Sequence, residues 1–335
     1  MVQFSDLRAL TGNTPMIGIR YRFKGEERTI YSKCEYYNFT GSIKDRMAIE
    51  VLEQAYRKSE LKPGDTIVEA TSGNGGISLA AFGRILGHEV IIIMPDWVSK
   101  ERRSILQALN VKTILLSREE GGFSACMDKC RELKATMPNI YLPQQFSNTD
   151  NIQGYFTSLG PEIQYQMDSI DLKPDAFVAG IGTGGTIMGN GTYLRQHYPD
   201  IHICPIETLE SRILSTGVSH GIHRIPGLSD DWVPPITDLS IMNDIFSVSD
   251  GDGIVMTQRL GKELGIGVGV SSGFNLLGAV AYQNKFGKDA TVVTVFPDCN
   301  KKYLSTILLQ EEPVLPDYLS NHIELVDFFT VKRKA

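Results

Sequence analysis

The sequence lacks the features of membrane, nucleic-acid-binding and disulfide-stabilised proteins. Its longest strongly apolar runs, such as residues 90–94, have the length of a strand and are far too short for a membrane span. The formal net charge of −6 argues against a nucleic-acid surface, since the only basic run is the short 332–334. Five irregularly spaced cysteines fit reduced thiols better than a disulfide framework. No basic segment followed by an apolar one opens the chain, so a cytoplasmic location is expected.

Metal-ligand patterns are also missing. Cys126 and Cys130 have the spacing of neighbours on a helix, but no second pair completes a site, so packing is the favoured interpretation and no metal is predicted.

The clearest periodic signal is an alternation of short apolar strands with helical runs. The predicted strands are 66–68, 90–94, 113–116, 176–179, 203–207 and 291–296. This alternation is typical of α/β proteins whose largely parallel sheets are covered by helices on both faces. Ligands in such folds bind beyond the carboxyl ends of strands, which directs attention to the segments that follow them.

Lys44 is the first candidate catalytic residue. It follows a small Gly41-Ser42 turn and opens a helical run, so its side chain is expected to be held in one place. A lysine forms a Schiff base only if its amine is desolvated, deprotonated and aimed at a carbonyl, and a fixed position favours this.

The turn Thr71-Ser72-Gly73-Asn74 follows a predicted strand and precedes an apolar helical run. Hydroxyls, an amide and free N–H groups at a helix N-terminus suit a carboxylate. Simple helix capping uses the same geometry, so this turn alone decides little. Ser271 also precedes a helical run, and its hydroxyl suits either a helix cap or a hydrogen bond to a pyridine nitrogen.

A glycine-rich turn, residues 180–186, follows the predicted strand 176–179. Its N–H groups can surround a phosphate. It also matches G-x-G-x-x-G, and Glu207 lies 25 residues past Gly182, so a nicotinamide-dependent oxidoreductase is an alternative. That alternative leaves Lys44 without a role.

Together these segments resemble the pyridoxal-phosphate enzymes of the cysteine synthase and cystathionine β-synthase family, which share the fold type II of the tryptophan synthase β subunit. The resemblance runs from residues 10–15 to 297–306 and includes 145–148, 160–163 and Glu101-Arg102-Arg103. It implies two three-layer α/β domains with parallel sheets and pyridoxal 5′-phosphate in the cleft between them. The smaller domain would span 46–150, and the larger would combine 1–45 with 151–310.

The resemblance also implies roles for particular residues. Lys44 would hold the cofactor and move the α-proton of an amino-acid substrate. Asn74 would contact the ring hydroxyl and Ser271 the pyridine nitrogen. The phosphate would be bound by Gly182, Thr183, Gly184, Gly185 and Thr186, and the substrate carboxylate by Thr71, Ser72 and Gln145. A neutral serine at the ring nitrogen gives a weaker electron sink, which suits β-elimination through an aminoacrylate.

Two departures from the family pattern set this chain apart. Gly75 stands where members that make cysteine carry a threonine, which removes a hydroxyl and is expected to open space. Ser229-Asp230-Asp231 replaces a small Gly-Ala-Gly segment. Both aspartates pointing to solvent is the plain interpretation. In the alternative, catalytic interpretation, Asp230 or Asp231 acts as general base for water and repels an anionic sulfide.

The favoured function is therefore conversion of L-cysteine and water into L-serine and hydrogen sulfide. The alternatives are a cysteine synthase that uses O-acetylserine and sulfide, thiol replacement like that of cystathionine β-synthase, or a non-catalytic binding protein. The family resemblance implies a homodimer. The tail 311–335 carries apolar residues and is expected to dock on the body or on a partner subunit.

Overall fold

The computed structural model describes residues 3–218, 221–228 and 232–333. The strands in this part of the chain are β1 Met16–Phe23, β2 Glu26–Cys34, β3 Thr66–Ala70, β4 Glu89–Pro95, β5 Lys112–Leu116, β6 Ile140–Tyr141, β7 Ala176–Gly180, β8 His202–Thr208, β9 Phe246–Val248, β10 Val292–Phe296 and β11 Ile323–Val331. The helices are α1 Phe4–Ala9, α2 Lys44–Arg57, α3 Asn74–Ile85, α4 Lys100–Ala108, α5 Gly122–Thr136, α6 Asp150–Phe156, α7 Leu159–Asp168, α8 Gly185–His197, α9 Ile213–Thr216, α10 Asp250–Leu264 and α11 Val270–Phe286. Within the described ranges, no helix combines the length and the apolar character that crossing a membrane requires.

The smaller sheet has the strand order β5-β4-β3-β6 and is parallel throughout. β4 is buried from Val90 to Pro95, as expected for a strand that is covered on both faces. Cys126 and Cys130 of α5 pack against this sheet beside Ile91, so they fill a core. All four strands fall inside the range predicted for the smaller domain, 46–150, although that boundary itself stays a prediction.

The larger sheet has the order β11-β1-β2-β10-β7-β8-β9 and is mixed. β2, β10, β7, β8 and β9 run parallel, whereas β1 is antiparallel to both of its neighbours. The alternating pattern predicted a largely parallel sheet and did not include β1 and β2. Lys24 and Gly25 join these two strands with φ angles of 51° and 85°. A two-residue turn of this kind can connect only antiparallel strands.

The C-terminal tail docks on the body of the chain. Its last strand, β11, pairs with β1 at the edge of the larger sheet. Upstream, Arg224 joins Asp250 at 2.6 Å and Glu312 at 2.8 Å. The backbone N–H of Leu319 donates to Asp252 Oδ2 at 2.7 Å. The tail thus covers one sheet edge and also holds the segment that contains Arg224.

Gly18 and Phe329 face each other across β1 and β11. A Cβ atom added at Gly18 would lie 2.3 Å from the Phe329 ring, so the aromatic ring occupies the space that a side chain would need. The ring also contacts Tyr31 edge-on with 6.1 Å between centroids, which limits its freedom to move away. The glycine therefore allows the tail strand to pack closely.

Gly18→Ala is expected to destabilise the protein by about 1–3 kcal/mol, because the added methyl group displaces the Phe329 ring. Urea unfolding followed by circular dichroism would measure this as a lower midpoint. In a Phe329→Ala background the same substitution should cost much less. Gly261→Ala in α10 is the matched control, because its added Cβ would meet nothing closer than 4.0 Å. Equal costs of Gly18→Ala in both backgrounds would contradict this account.

Candidate active site

A cavity lies where strands of both sheets end. It is lined by residues that follow β3, β4, β7 and β10, together with the starts of α2 and α11. Carboxyl ends of parallel strands commonly form the ligand sites of α/β proteins. The cavity therefore combines loops from the two sheets in one site.

Lys44 is the first residue of α2 and lines this cavity. The preceding residues fix its position, because Ser42 forms an isolated bridge with Asp298 and the Ile43 N–H donates to Pro297 O at 2.8 Å. Burial lowers the pKa of Lys44 to about 8, and the nearby Asp298 carboxylate opposes part of this shift. Near neutral pH the neutral form of the amine is consequently far more abundant than it would be at the ordinary lysine pKa of 10.5, which favours a Schiff-base role.

The Thr71–Asn74 turn joins β3 to α3 and also lines the cavity. The Thr71 N–H donates to Ile93 O at 3.0 Å, so the turn begins on the smaller sheet. Thr71 Oγ1 accepts a hydrogen bond from the Gly73 N–H at 3.2 Å. The hydroxyl of Ser72 and the start of α3 face the same cavity, which gives donors suited to a carboxylate.

Asn74 is held by charged groups that sequence reasoning did not assign to the site. Its Nδ2 donates to Asp298 Oδ2 at 2.8 Å, and Lys302 Nζ donates to its Oδ1 at 2.9 Å. The Tyr303 hydroxyl donates to the same Asp298 oxygen at 2.6 Å. These residues lie in the stretch 297–306, where the family resemblance was noted, but no spacing rule connects them to Asn74 more than 220 residues away.

The glycine-rich turn after β7 brings backbone atoms close to each other. A Cβ atom at Gly182 would lie 2.0 Å from Gly227 O, so only glycine allows this approach. Gly184 has a φ of +91° and directly precedes α8. The N–H groups of Gly182, Thr183 and Gly184 make no hydrogen bond within the described ranges.

These unpaired donors precede the N-terminus of α8, whose own first N–H groups lack partners within the helix. Such an arrangement fits a phosphate group, as the sequence predicted. Gly182, Thr183, Gly184 and Thr186 line the cavity, whereas Gly185 is the first residue of α8. Together with the Lys44 amine and the Ser271 hydroxyl, the residues present fit pyridoxal phosphate.

Ser271 is the second residue of α11, is buried and lines the cavity. Glu207, the acidic candidate for the nicotinamide alternative, is engaged elsewhere. Its Oε2 accepts hydrogen bonds from the N–H groups of Leu214 at 2.9 Å and Ser215 at 3.1 Å, at the start of α9. Glu207 is not among the described residues that line the cavity.

Gln145 lies against Gly75, which corrects one expectation. Gly75 was expected to open space, but a Cβ atom there would lie 2.5 Å from Gln145 Oε1. Gln145 Nε2 donates to Ala70 O at 3.1 Å, and the side chain is buried. The missing side chain thus leaves room for Gln145, which fills the space.

Asn151 connects two sides of the cavity and was not predicted. Its Nδ2 donates to Gln145 O at 2.7 Å and to Thr183 Oγ1 at 3.0 Å. A Cβ atom at Gly185 would lie 2.0 Å from Asn151 Oδ1. The buried Asn151 amide therefore fixes the distance between Gln145, expected to bind the substrate carboxylate, and Thr183, expected to bind the cofactor phosphate.

Asp230 and Asp231, the predicted general-base candidates, lie outside the described residues. The residues on either side of the stretch 229–231, Leu228 and Trp232, both line the cavity.

The lowered pKa of Lys44 predicts how the cofactor-free protein captures pyridoxal phosphate. Only the neutral amine reacts, so the rate constant should rise with pH through a midpoint of about 8, well below the ordinary lysine value of 10.5. Stopped-flow measurement of the visible absorption that develops on mixing would give this profile. Lys44→Arg is the control and should develop no such absorption, because arginine stays protonated. A midpoint near the ordinary value would contradict the assigned burial of Lys44.

Comparisons with known proteins agree with this geometry. The family model described as "Pyridoxal-phosphate dependent enzyme" matches residues 7–298. A cysteine synthase of Staphylococcus aureus is 38% identical over 303 residues, which is 90% of this chain and 96% of that protein. A probable cysteine synthase of Bacillus subtilis is 37% identical over 299 residues, which is 89% of this chain and 96% of that protein.

Among solved structures, a hydrogen sulfide-producing enzyme of Fusobacterium nucleatum is 50% identical with a TM-score of 0.94, covering 98% of this chain and 99% of that one. An aspartate-to-asparagine variant of such an enzyme, solved with an α-aminoacrylate intermediate, is 51% identical with a TM-score of 0.94 and covers 96% of this chain and 97% of that one.

Proposed function

The chain belongs to the family of pyridoxal-phosphate-dependent enzymes and performs cysteine-related β-replacement or β-elimination, and we propose that it releases hydrogen sulfide from L-cysteine while water supplies the hydroxyl of L-serine. The C–S bond at the β-carbon breaks, and a C–O bond to water forms in its place. The proton that leaves the α-carbon returns to it, so L-cysteine and water balance L-serine and hydrogen sulfide. We also propose, from the family resemblance, that the enzyme acts as a cytoplasmic homodimer.

Each site residue has a role in this proposal. When bound, pyridoxal phosphate supplies the electron sink that allows the α-proton and the β-substituent to leave. The neutral amine of Lys44 would hold the cofactor and carry the α-proton. Asn74 would hydrogen-bond the ring hydroxyl, and the Ser271 hydroxyl would serve the ring nitrogen.

The loops that line the cavity bind and orient the cofactor and the substrate. The N–H groups of residues 182–186 would hold the phosphate at the start of α8. Thr71, Ser72 and Gln145 would hold the substrate carboxylate near the start of α3. Asn151 keeps these two loops at a fixed separation through its bonds to Gln145 and Thr183.

The observation that carries the choice of reaction is the 50% identity to a hydrogen sulfide-producing enzyme over 98% of the chain. The named cysteine synthases are 37–38% identical over about nine-tenths of it. The Gly75 departure adds support, because this position lacks the hydroxyl that cysteine-making members carry there and has no room for one beside Gln145.

We further propose that Asp230 or Asp231 is the general base that removes a proton from the attacking water. A carboxylate beside the β-carbon would also repel hydrosulfide and disfavour the reverse addition. The solved aspartate-to-asparagine variant that holds an α-aminoacrylate intermediate supports a role for an aspartate in the step that consumes it. Leu228 and Trp232, which bracket the two aspartates, line the cavity.

The test is incubation of the cofactor-loaded enzyme with L-cysteine alone in isotopically labelled water, with products identified by mass spectrometry. Labelled L-serine and sulfide are expected. Asp230→Asn and Asp231→Asn would be assayed separately, and one of them should lower the serine rate about 100-fold or more. Asp289→Asn, which changes an exposed aspartate, should leave the rate unaltered.

Pyruvate with sulfide, and no labelled serine, would replace the proposal with simple elimination. If both aspartate variants kept the wild-type rate of serine formation, the general-base assignment would fall. Inactivity toward cysteine, with turnover of O-acetylserine and sulfide, would favour cysteine synthesis, the activity named for the Staphylococcus and Bacillus relatives.

A further inference from the structure

Arg102 is a buried charge that the proposed reaction does not use. It lies in the first turn of α4, lines the cavity, and is only 5% exposed. Its Nε has no hydrogen-bond partner, and across the described residues its guanidinium pairs with no carboxylate. An arginine cannot relieve such burial by losing its proton.

Contacts between α4 and the segment after β10 hold Arg102 in the cavity wall. Ser99 Oγ donates to Lys302 O at 2.9 Å, and the Ser305 N–H donates to Glu101 Oε1 at 2.7 Å. The guanidinium carbon of Arg102 lies 4.6 Å from the centre of the Tyr303 ring. Stacking of this kind fixes the plane of the guanidinium but leaves its hydrogen-bond donors available.

No carboxylate among the described residues forms an ion pair with this cation, because the neighbouring Glu101, although attracted to it, is hydrogen-bonded to Ser305. Lys44 and Arg102 are the charged side chains that line the cavity within the described ranges, and both are basic. Asp298, the nearby carboxylate, already accepts hydrogen bonds from Asn74 and Tyr303. Burying a cation without a partner is unfavourable, and an incoming anion would offset that penalty.

The position of Arg102 points to a substrate or product anion. A Cβ atom at Gly73 would lie 3.1 Å from Arg102 Nε, so the guanidinium adjoins the turn that starts α3. The unpaired N–H groups suited to the cofactor phosphate belong to a different turn, at the start of α8. The phosphate is therefore assigned to that turn.

We propose that Arg102 is an anion-binding residue of the active-site cavity that receives either the carboxylate of the bound amino acid or the hydrosulfide ion that leaves it. This deepens the proposed function and rests on it for the identity of the released ion. The bound anion would complete the hydrogen bonding of a guanidinium whose Nε has no partner among the described residues.

Equilibrium titration of the cofactor-loaded enzyme, followed by its visible absorption, tests this without turnover. L-Alanine probes the carboxylate because it has no β-leaving group, and sodium sulfide probes hydrosulfide. Arg102→Gln should raise the dissociation constant of at least one ligand about tenfold or more. Arg102→Lys should have an intermediate effect, because it keeps the charge but loses the planar donors.

Arg103→Gln is the matched control, since it removes the same charge one position away, at a residue that does not line the cavity. It should bind both ligands like the wild type. Weaker alanine binding alone would identify the carboxylate as the anion, and weaker sulfide binding alone would identify hydrosulfide.

Wild-type dissociation constants for both ligands in Arg102→Gln would overturn the inference. Circular dichroism and cofactor stoichiometry would show that Arg102→Gln is folded and loaded with cofactor. If Arg102→Gln does not fold, Arg102→Lys provides a second, milder test. Because neither ligand has to undergo β-elimination, the inference can stand even if L-cysteine proves not to be the substrate.

Discussion

Asp298 is the residue on which the geometry of the cavity depends most. Its Oδ2 accepts hydrogen bonds from Asn74, at the start of α3, and from Tyr303, after β10, so one carboxylate joins turns from the two sheets. Ser42, two residues before Lys44, bridges to the same residue. Gly269 makes room for it, because a Cβ atom there would lie 1.9 Å from Asp298 Oδ1. Truncating such a group would leave several buried polar atoms without partners.

The first turn of α2 shows how burial and charge pairing combine around Lys44. Arg46 pairs with Glu35 and Glu162, each at 2.7 Å, and is fully buried, while Asp45 accepts a hydrogen bond from Ser78 Oγ at 2.6 Å. These bonds fix the helix start, so Lys44 can be desolvated without moving away. Since the burial that lowers its pKa also fixes its position, both requirements of amine catalysis come from the same packing.

Sequence patterns identified much of the site because its residues cluster in short turns after strands. Lys44, the Thr71–Asn74 turn, the glycine-rich turn and Ser271 were all recognised locally, and the structure brings them to one cavity. Asp298 lies in a stretch that the family resemblance covers, but its role and that of Asn151 were missed, because their contacts join positions far apart in the chain. The effect of Gly75 was misjudged for the same reason, since a sequence does not reveal that Gln145 fills the space beside it.

The sequence by itself determined the α/β class, the order of the site turns and the chemistry that their side chains can perform. These depend on local periodicity and residue type, which neighbouring residues specify. Only the tertiary structure decided that the larger sheet is mixed, that the tail strand β11 pairs with β1, and that the buried Arg102 has an Nε without a hydrogen-bond partner among the described residues. Strand pairing and desolvation arise from contacts between distant segments, and such contacts exist only once the chain has folded.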